Sequence, residues 1–119
     1  MRTDELGVWG ERQAERYLSK KGYRLIERRF HCRFGEIDLI MESGDVTVFV
    51  EVKMRSDVRY GLPREYVTYS KRRKLTMAAL AWMESRGEEV VSRFDVVEVY
   101  ASDPGSGKAD RIVHLENVF

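Results

Sequence analysis

The chain has 119 residues, of which 43% are hydrophobic and 34% are charged, and its formal net charge is +1. This composition is typical of a folded globular protein and excludes an intrinsically disordered chain. The length predicts a single domain over residues 1–119, and the net charge alone indicates no polyanionic partner.

Cysteine content and hydropathy further restrict the class of protein. The single Cys32 excludes an internal disulfide framework and a cysteine-rich zinc site. No apolar run approaches the roughly 20 residues that a membrane-spanning helix needs, and the first ten residues lack the apolar centre of a secretory signal. We therefore expect a cytoplasmic protein with no membrane partner. Neither His31 nor His114 has zinc-like spacing to another ligand, and we expect both at surface or capping positions.

Hydrophobic periodicity predicts two helices and five strands. In chain order these are a helix over 4–21, strands over 23–30, 35–42 and 46–55, a loop over 56–66, a helix over 68–86, a strand over 93–100, a loop over 102–108, and an edge strand over 111–115. Thr3 or Asp4 is the expected N-cap of the first helix, and Gly22 its stop.

Connection lengths predict how the strands pair. Short turns join the first three strands, which should therefore form an antiparallel meander. The second helix is long enough to be a crossover, so the third and fourth strands should pair in parallel. The predicted fold is α/β, with a central mixed sheet flanked by helices.

Charged residues interrupt the apolar alternation of the second and third strands. Successive side chains point to opposite faces, so Glu51 and Lys53 share one face of the third strand. Asp38 and Glu51 are 13 positions apart, close to the separation of facing positions on a hairpin that turns at Gly44. Facing carboxylates repel, so one would take up a proton or the pair would bind a cation. Oxygen ligands of this kind suit Mg²⁺ or Mn²⁺.

The pattern alone leaves two interpretations of this group open. Lys53 could orient an attacking water and offset the charge that develops on a phosphate. Alternatively, this face is solvated and holds a Glu51–Lys53 surface ion pair that contributes about 0–1 kcal/mol. The apolar neighbours of Asp38 favour the first interpretation, because an unpartnered buried carboxylate is costly. By spacing, Glu11 is a boundary residue or a group aimed into a cleft, and spacing favours the boundary residue.

Basic residues gather in two groups, within residues 20–33 and within residues 55–74. Such groups can hold a phosphate backbone without reading base sequence. The candidate nucleic-acid contacts are Arg29, Arg33, Arg55, Arg64, Lys71 and Lys74. For Lys71, a snorkelling surface position is the alternative.

The central strands carry a resemblance to a known family. Asp38 followed by Glu51-Val52-Lys53 resembles the PD-(D/E)XK nuclease signature, with Ile37 at the proline position. Together with Gly10-Glu11, the segments Gly-Glu-Ile-Asp-Leu-Ile at 35–40, Val-Phe-Val-Glu-Val-Lys at 48–53 and Arg-Phe-Asp-Val-Val at 93–97 resemble the YraN-like bacterial family. That family is similar to archaeal Holliday-junction resolvases.

The resemblance implies a restriction-endonuclease-like αβββαβ core and a set of roles. Asp38, Glu51, the carbonyl of Val52 and Glu11 would hold Mg²⁺ or Mn²⁺. Lys53 would be the catalytic lysine, and Glu11 would belong to the catalytic group rather than to the surface.

These observations predict an endonuclease-like protein that hydrolyses DNA phosphodiester bonds, with branched or otherwise structured DNA as one candidate substrate. One alternative is a non-catalytic nucleic-acid-binding module that retains the nuclease fold, and another is a structural adaptor whose charges are only solvated. A homodimer is also expected, because a two-fold axis supplies two sites at fixed separation. Val118, Phe119 and aromatic residues of the first helix are its candidate contacts.

Overall fold

The structure is a computed structural model and describes residues 2–55, 68–87 and 89–119. These residues form α1 (Thr3–Lys20), β1 (Arg24–Cys32), β2 (Gly35–Ser43), β3 (Val46–Arg55), α2 (Tyr69–Arg86), β4 (Val91–Tyr100) and β5 (Arg111–Leu115), with a 3₁₀ turn at Pro104–Ser106. The predicted order of helices and strands is confirmed. The predicted loop over 56–66, which carries Arg64, lies outside the described residues.

The five strands form one mixed sheet in the order β1-β2-β3-β4-β5. The β1–β2, β2–β3 and β4–β5 pairs are antiparallel, whereas β3 and β4 pair in parallel from Val46↔Val91 to Arg55↔Tyr100. The predicted meander, the parallel pair across α2 and the edge position of β5 are therefore confirmed.

Each face of the sheet packs against one helix. Ala14 and Leu18 of α1 join Val48 and Val50 in one buried cluster. Phe49, between those two valines, joins the cluster under α2. The alternation predicted for β3 is confirmed, because neighbouring residues of a strand point to opposite faces. Among the described residues, neither helix is long and apolar enough to cross a membrane.

The buried face of α2 is the one its periodicity indicates. Leu75, Ala78, Ala79 and Trp82 are all buried against the sheet. The edge-to-face contact of Trp82 with Phe49, at 5.7 Å between ring centroids, anchors the helix over β3. The first turn of α2 is consequently held beside the polar end of β3.

The C-terminal end of α1 agrees with the prediction, and its N-terminal end does not. Gly22, with φ of +96°, follows the helix as predicted, because glycine adopts this left-handed conformation without strain. The N-cap is Arg2, without a side-chain cap, so the prediction of Thr3 or Asp4 is wrong. Within the helix, a Cβ on Gly10 would overlap the Met54 sulfur. Gly10 therefore allows α1 to approach β3 closely.

The β1–β2 hairpin is longer than the sequence pattern predicts. Its last pair is Cys32↔Gly35, and its register shifts between Leu25 and Glu27. In the same strand Arg29 has φ of +50°, a conformation that costs a non-glycine residue of the order of 1 kcal/mol. The backbone of β1 is thus irregular on both sides of its centre.

Candidate active site

The candidate site lies where β2 and β3 stop pairing. Their ladder runs from Ser43↔Val46 to Leu39↔Val50 and does not continue to Asp38. At that point the backbone N–H of Val52 donates a 2.8 Å hydrogen bond to Oδ2 of Asp38. A side-chain carboxylate thus replaces the backbone acceptor that a continued ladder would supply.

The carboxyl groups of Asp38 and Glu51 lie beside each other in this gap. Burial, followed by the hydrogen bond and charge of Glu51, raises the pKa of Asp38 to about 8. At neutral pH, Asp38 therefore holds a proton. Glu51 has 9% of its surface exposed. The interpretation of a solvated face is accordingly wrong for Glu51.

Two lysines compensate the charge of Glu51 to different extents. Lys71 Nζ lies 3.0 Å from Glu51 Oε2. Although burial alone would lower the pKa of Lys71, its contact with Glu51 holds that pKa above its ordinary value. The pKa of Lys53 is lowered, chiefly by burial and secondarily by the nearby charge of Lys71, against the opposing effect of Glu51.

The start of α2 determines where Lys71 lies. Thr68 caps the helix, and its Oγ1 accepts a 3.2 Å hydrogen bond from the backbone N–H of Lys71. Lys71 is thereby in the first turn, on the side of α2 that faces the sheet. The sequence left open whether this lysine snorkels to the surface, and the structure places it in ionic contact with Glu51.

The donor set at this site suits a hard divalent cation. Glu51 Oε2 is buried, and the described residues provide no aligned hydrogen bond to it. Asp38 contributes a second carboxyl whose proton a cation could displace. Asp38 and Glu51 could together hold Mg²⁺ or Mn²⁺. The carbonyl of Val52 lies in the chain between Glu51 and Lys53, and its part as a ligand stays a prediction.

Glu11 approaches this group from α1 but contacts a different partner. Its Oε1 accepts a 2.7 Å hydrogen bond from Arg29 Nε, and its side chain is 14% exposed. The charge of Glu11 contributes to the raised pKa of Asp38. However, Glu11, Asp38 and Glu51 do not bring three ligand atoms within 4.8 Å of one another. Glu11 is thus a neighbour of the carboxyl pair, and Arg29 neutralises it.

A cleft of about 430 Å³ opens on the carboxyl pair. Its walls include Glu36 from β2 and Ser70, Lys71 and Lys74 from α2. The carboxyl pair therefore lines a cleft that has two lysines on its α2 side and Glu36 on its β2 side. A ligand with negative charge and oxygen atoms fits this distribution of charge.

Among the described residues, the other predicted nucleic-acid contacts lie outside the cleft lining; these are Arg29, Arg33 and Arg55. Arg33 stacks on the ring of Phe34, 4.8 Å from its centroid, in the β1–β2 turn. Arg55 lies 3.6 Å from the buried carboxylate of Glu98. Arg29 is committed to Glu11, so two of these three arginines already contact carboxylates within the chain.

A second polar cluster, which the sequence analysis missed, joins β4 to β5. Asp95 accepts hydrogen bonds from Arg93 Nε (3.0 Å) and from the backbone N–H of Asn117 (3.0 Å). His114 Nε2 lies 2.7 Å from Asp95 Oδ2, and its side chain is 1% exposed. The expected surface or capping position of His114 is therefore wrong, whereas His31, with a side chain 74% exposed, is at the surface as predicted.

This second cluster is saturated by its own members. Asp95, His114 and Glu116 bring ligand atoms within 4.8 Å of one another. Arg93, however, donates to both carboxylates, with Nη2 2.9 Å from Glu116 Oε1. Lys21 Nζ lies 2.8 Å from the remaining ring nitrogen of His114. The cluster links β4 to the C-terminal segment. Its members are far apart along the chain, so no local sequence pattern predicted their contact.

Comparison with known proteins identifies the family. A family model described as "Uncharacterised protein family UPF0102" matches residues 10–99. The chain is 47% identical to a UPF0102 protein of Syntrophomonas wolfei, over 97% of each chain. It is 44% identical to a UPF0102 protein of Geobacter sulfurreducens, over 96% of this chain and 88% of the relative. A UPF0102 protein of Caldanaerobacter subterraneus is 41% identical, over 96% and 93% of the two chains. This protein therefore belongs to the UPF0102 family, the YraN-like family that its central strands resemble.

Proposed function

We propose that this protein is a divalent-metal-dependent phosphodiesterase that hydrolyses DNA, with branched or otherwise structured DNA as a candidate substrate. The observation that carries the proposal is the carboxyl pair of Asp38 and Glu51 at the base of a cleft with lysines on its wall. Paired carboxylates, substrate phosphate and water are the usual ligands of Mg²⁺ in enzymes of phosphate chemistry.

The fold supports the same proposal. The order α1, β1, β2, β3, α2, β4 is the αβββαβ order of a restriction-endonuclease-like core. The two carboxyl groups come from β2 and β3, the strands on which the PD-(D/E)XK signature places them. Because one fold can host many functions, this agreement supports the core assignment, and the chemistry rests on the cleft.

Four residues in or near the cleft have a defined part in the proposed reaction. Asp38 and Glu51 would hold Mg²⁺ or Mn²⁺, which when bound would lower the pKa of a water and polarise the phosphate. Lys53, beside them on β3, would donate hydrogen bonds to the phosphate oxygens on which negative charge grows. Glu11 would approach the same ion once its hydrogen bond with Arg29 is broken.

The DNA backbone would lie along the start of α2. Lys71 and Lys74 present ammonium groups at the cleft, and the first backbone N–H groups of a helix favour an anion. Arg33 would extend the contact along the β1–β2 turn, and Arg29, Arg55 and Arg64 would complete the basic surface. Contacts of this kind bind phosphates regardless of base sequence.

One observation favours a second candidate, a nucleic-acid-binding module without catalysis. Lys71 supplies an internal counter-charge to Glu51, at 3.0 Å. A carboxylate that is already paired has less need of a metal ion. In this candidate the cleft binds phosphates through its lysines, and the carboxyl pair only organises them.

The experiment is a cleavage assay on duplex, single-stranded and four-way-junction DNA with Mg²⁺ or Mn²⁺. Asp38→Asn and Glu51→Gln keep the shape of each side chain and remove its charge. Glu42→Gln is the matched control, because Glu42 lies on β2 but pairs at the surface with Arg24. Cleavage by the native protein and the control, but not by the two site variants, is the expected result.

Other results separate the alternatives. Cleavage that survives Asp38→Asn or Glu51→Gln would contradict the proposed site. Binding of DNA without cleavage in either metal would favour the binding module. Absence of DNA binding at low salt would favour the third interpretation, a structural adaptor.

A further inference from the structure

The outward face of α2 carries a regular stripe of residues that are exposed in the described part of the chain. Its residues are Arg73, Met77, Leu80 and Glu84, with a spacing of four, three and four. This is the spacing of the seam in a two-helix coiled coil, and it lies opposite the buried face that contains Leu75 and Trp82.

The middle of the stripe is apolar and accessible. Met77 is 38% exposed and Leu80 is 52% exposed. Tyr69, one turn before Arg73, is 71% exposed, and an apolar groove of about 410 Å³ runs along this side of the helix beside Phe119. Single exposed apolar residues are ordinary, but two neighbouring ones on one helix face beside an apolar groove indicate an interaction surface.

The charges at the two ends of the stripe lack partners within the described part of the chain. Neither Arg73 nor Glu84 makes an ion pair there. Arg73 is near the N-terminus of α2 and Glu84 is in its last turn, so each charge is at the end that the helix macrodipole disfavours. The arrangement is unfavourable within one helix and suits a partner helix of opposite direction.

The stripe is complementary to itself. When two copies of a helix pack antiparallel across a two-fold axis, residues whose numbers have the same sum lie at the same level. Met77 and Leu80 sum to 157, and so do Arg73 and Glu84. One alignment therefore places each Met77 against Leu80 of the other copy, and each Arg73 against the other copy's Glu84.

We propose that the outward face of α2 binds the same face of a second copy of this chain, with the two helices antiparallel and the two-fold axis at the level midway between positions 78 and 79. Phe119 stacks on Phe94 of its own chain at 4.5 Å, and its edge borders the groove. Trp9 and Tyr17 of α1 pack against their own core, away from this face. Because two 18-residue helices bury a small interface, the expected dimer is weak, with a micromolar dissociation constant.

The test is sedimentation equilibrium without nucleic acid, from low micromolar to millimolar protein. Arg73→Glu and Glu84→Arg each create two like-charge contacts in the symmetric dimer, and each should weaken it by roughly tenfold. The double variant R73E/E84R restores opposite charges and should recover the native dissociation constant. Residues 73 and 84 are three turns apart, so recovery cannot arise within one helix.

Controls keep this test independent of folding and of catalysis. Arg12→Glu reverses an exposed charge on α1 and should leave the dimer unchanged. Circular dichroism should show intact α2 in every variant, because the single reversals place charges where the macrodipole favours them. A monomer at all concentrations, a dimer unaffected by both single reversals, or a double variant weaker than either single one would overturn the proposal.

Discussion

Asp38 accepts the backbone N–H of Val52 at 2.8 Å, and this bond occurs where β2 leaves β3. Through this contact Asp38, a residue of β2, caps the free N–H of the neighbouring strand β3. The same contact holds the carboxyl group of Asp38 beside Glu51. Burial, together with the hydrogen bond and charge of Glu51, raises the pKa of Asp38 to about 8, so Asp38 keeps its proton at neutral pH.

The first prediction concerns stability without metal ions. The folded state raises the pKa of Asp38 to about 8, so between about pH 4 and pH 8 it holds a proton that the unfolded chain has released. Stability should therefore fall as pH rises through this window. Asp38→Asn mimics the protonated form, with one oxygen for Val52 and an amide for Glu51. In EDTA at pH 8 it should be more stable than the native protein by about 1–3 kcal/mol.

Urea unfolding at several pH values would measure this difference. Glu42→Gln, on the same strand but at the surface, should retain the pH dependence of the native protein. An Asp38→Asn variant less stable than the native protein at pH 8 would contradict the raised pKa of Asp38.

The second prediction is that metal binding releases a proton. A cation held by Asp38 and Glu51 must displace the proton of Asp38, so about one proton should be released per ion below pH 8. Calorimetric titration with Mn²⁺ in two buffers of different ionisation enthalpy measures the number directly. Affinity should rise with pH and should be lost in Glu51→Gln. Binding that is independent of pH between 6 and 8 would place the ion elsewhere.

The third prediction separates Lys71 from Lys74. Lys71→Met removes the cation that lies 3.0 Å from Glu51 Oε2 and leaves that carboxylate less compensated. Affinity for Mn²⁺ should then rise several-fold, while affinity for DNA falls. Lys74→Met is the matched variant, because Lys74 lines the same cleft. It should weaken DNA binding without changing Mn²⁺ affinity, and equal effects of both variants on Mn²⁺ would refute the assignment.

The fourth prediction concerns the cluster around Asp95. Burial alone would raise the pKa of Asp95, but hydrogen bonds from His114, Arg93 and Asn117 hold it below its ordinary value. A lowered folded-state pKa contributes stability above about pH 4, which is lost as the pH falls through the folded-state value. Asp95→Asn should therefore cost about 3 kcal/mol at pH 7 and less at pH 3, measured by urea unfolding. An equal cost at both pH values would show that packing, not charge, accounts for the loss.

The sequence was most informative where a pattern is local. Period-2 alternation separated Phe49 from Val48 and Val50, and the two core clusters divide in the same way. The apolar period of α2 identified Leu75 and Trp82 as buried. Such patterns work because backbone geometry alone sets the direction of successive side chains.

Local sequence patterns could not predict contacts between segments that are distant along the chain. The pairing of Glu11 with Arg29, of Lys71 with Glu51 and of Asp95 with His114 depends on how far each helix or strand is shifted and rotated over the sheet. The burial of His114 was mispredicted for this reason, because an isolated histidine in a short strand carries no sign of the Asp95 carboxylate 19 positions earlier.

The sequence by itself determined the order of helices and strands, the mixed sheet, and the likeness of Asp38, Glu51 and Lys53 to a nuclease signature. Only the tertiary structure decided that β2 and β3 separate at Asp38, that Glu51 is buried, and that Lys71 reaches it from α2. The physical reason is the distance along the chain over which each effect acts. Periodicity and turn preferences act over a few residues, whereas charge compensation depends on atoms that only the packed chain brings within about 4 Å of each other.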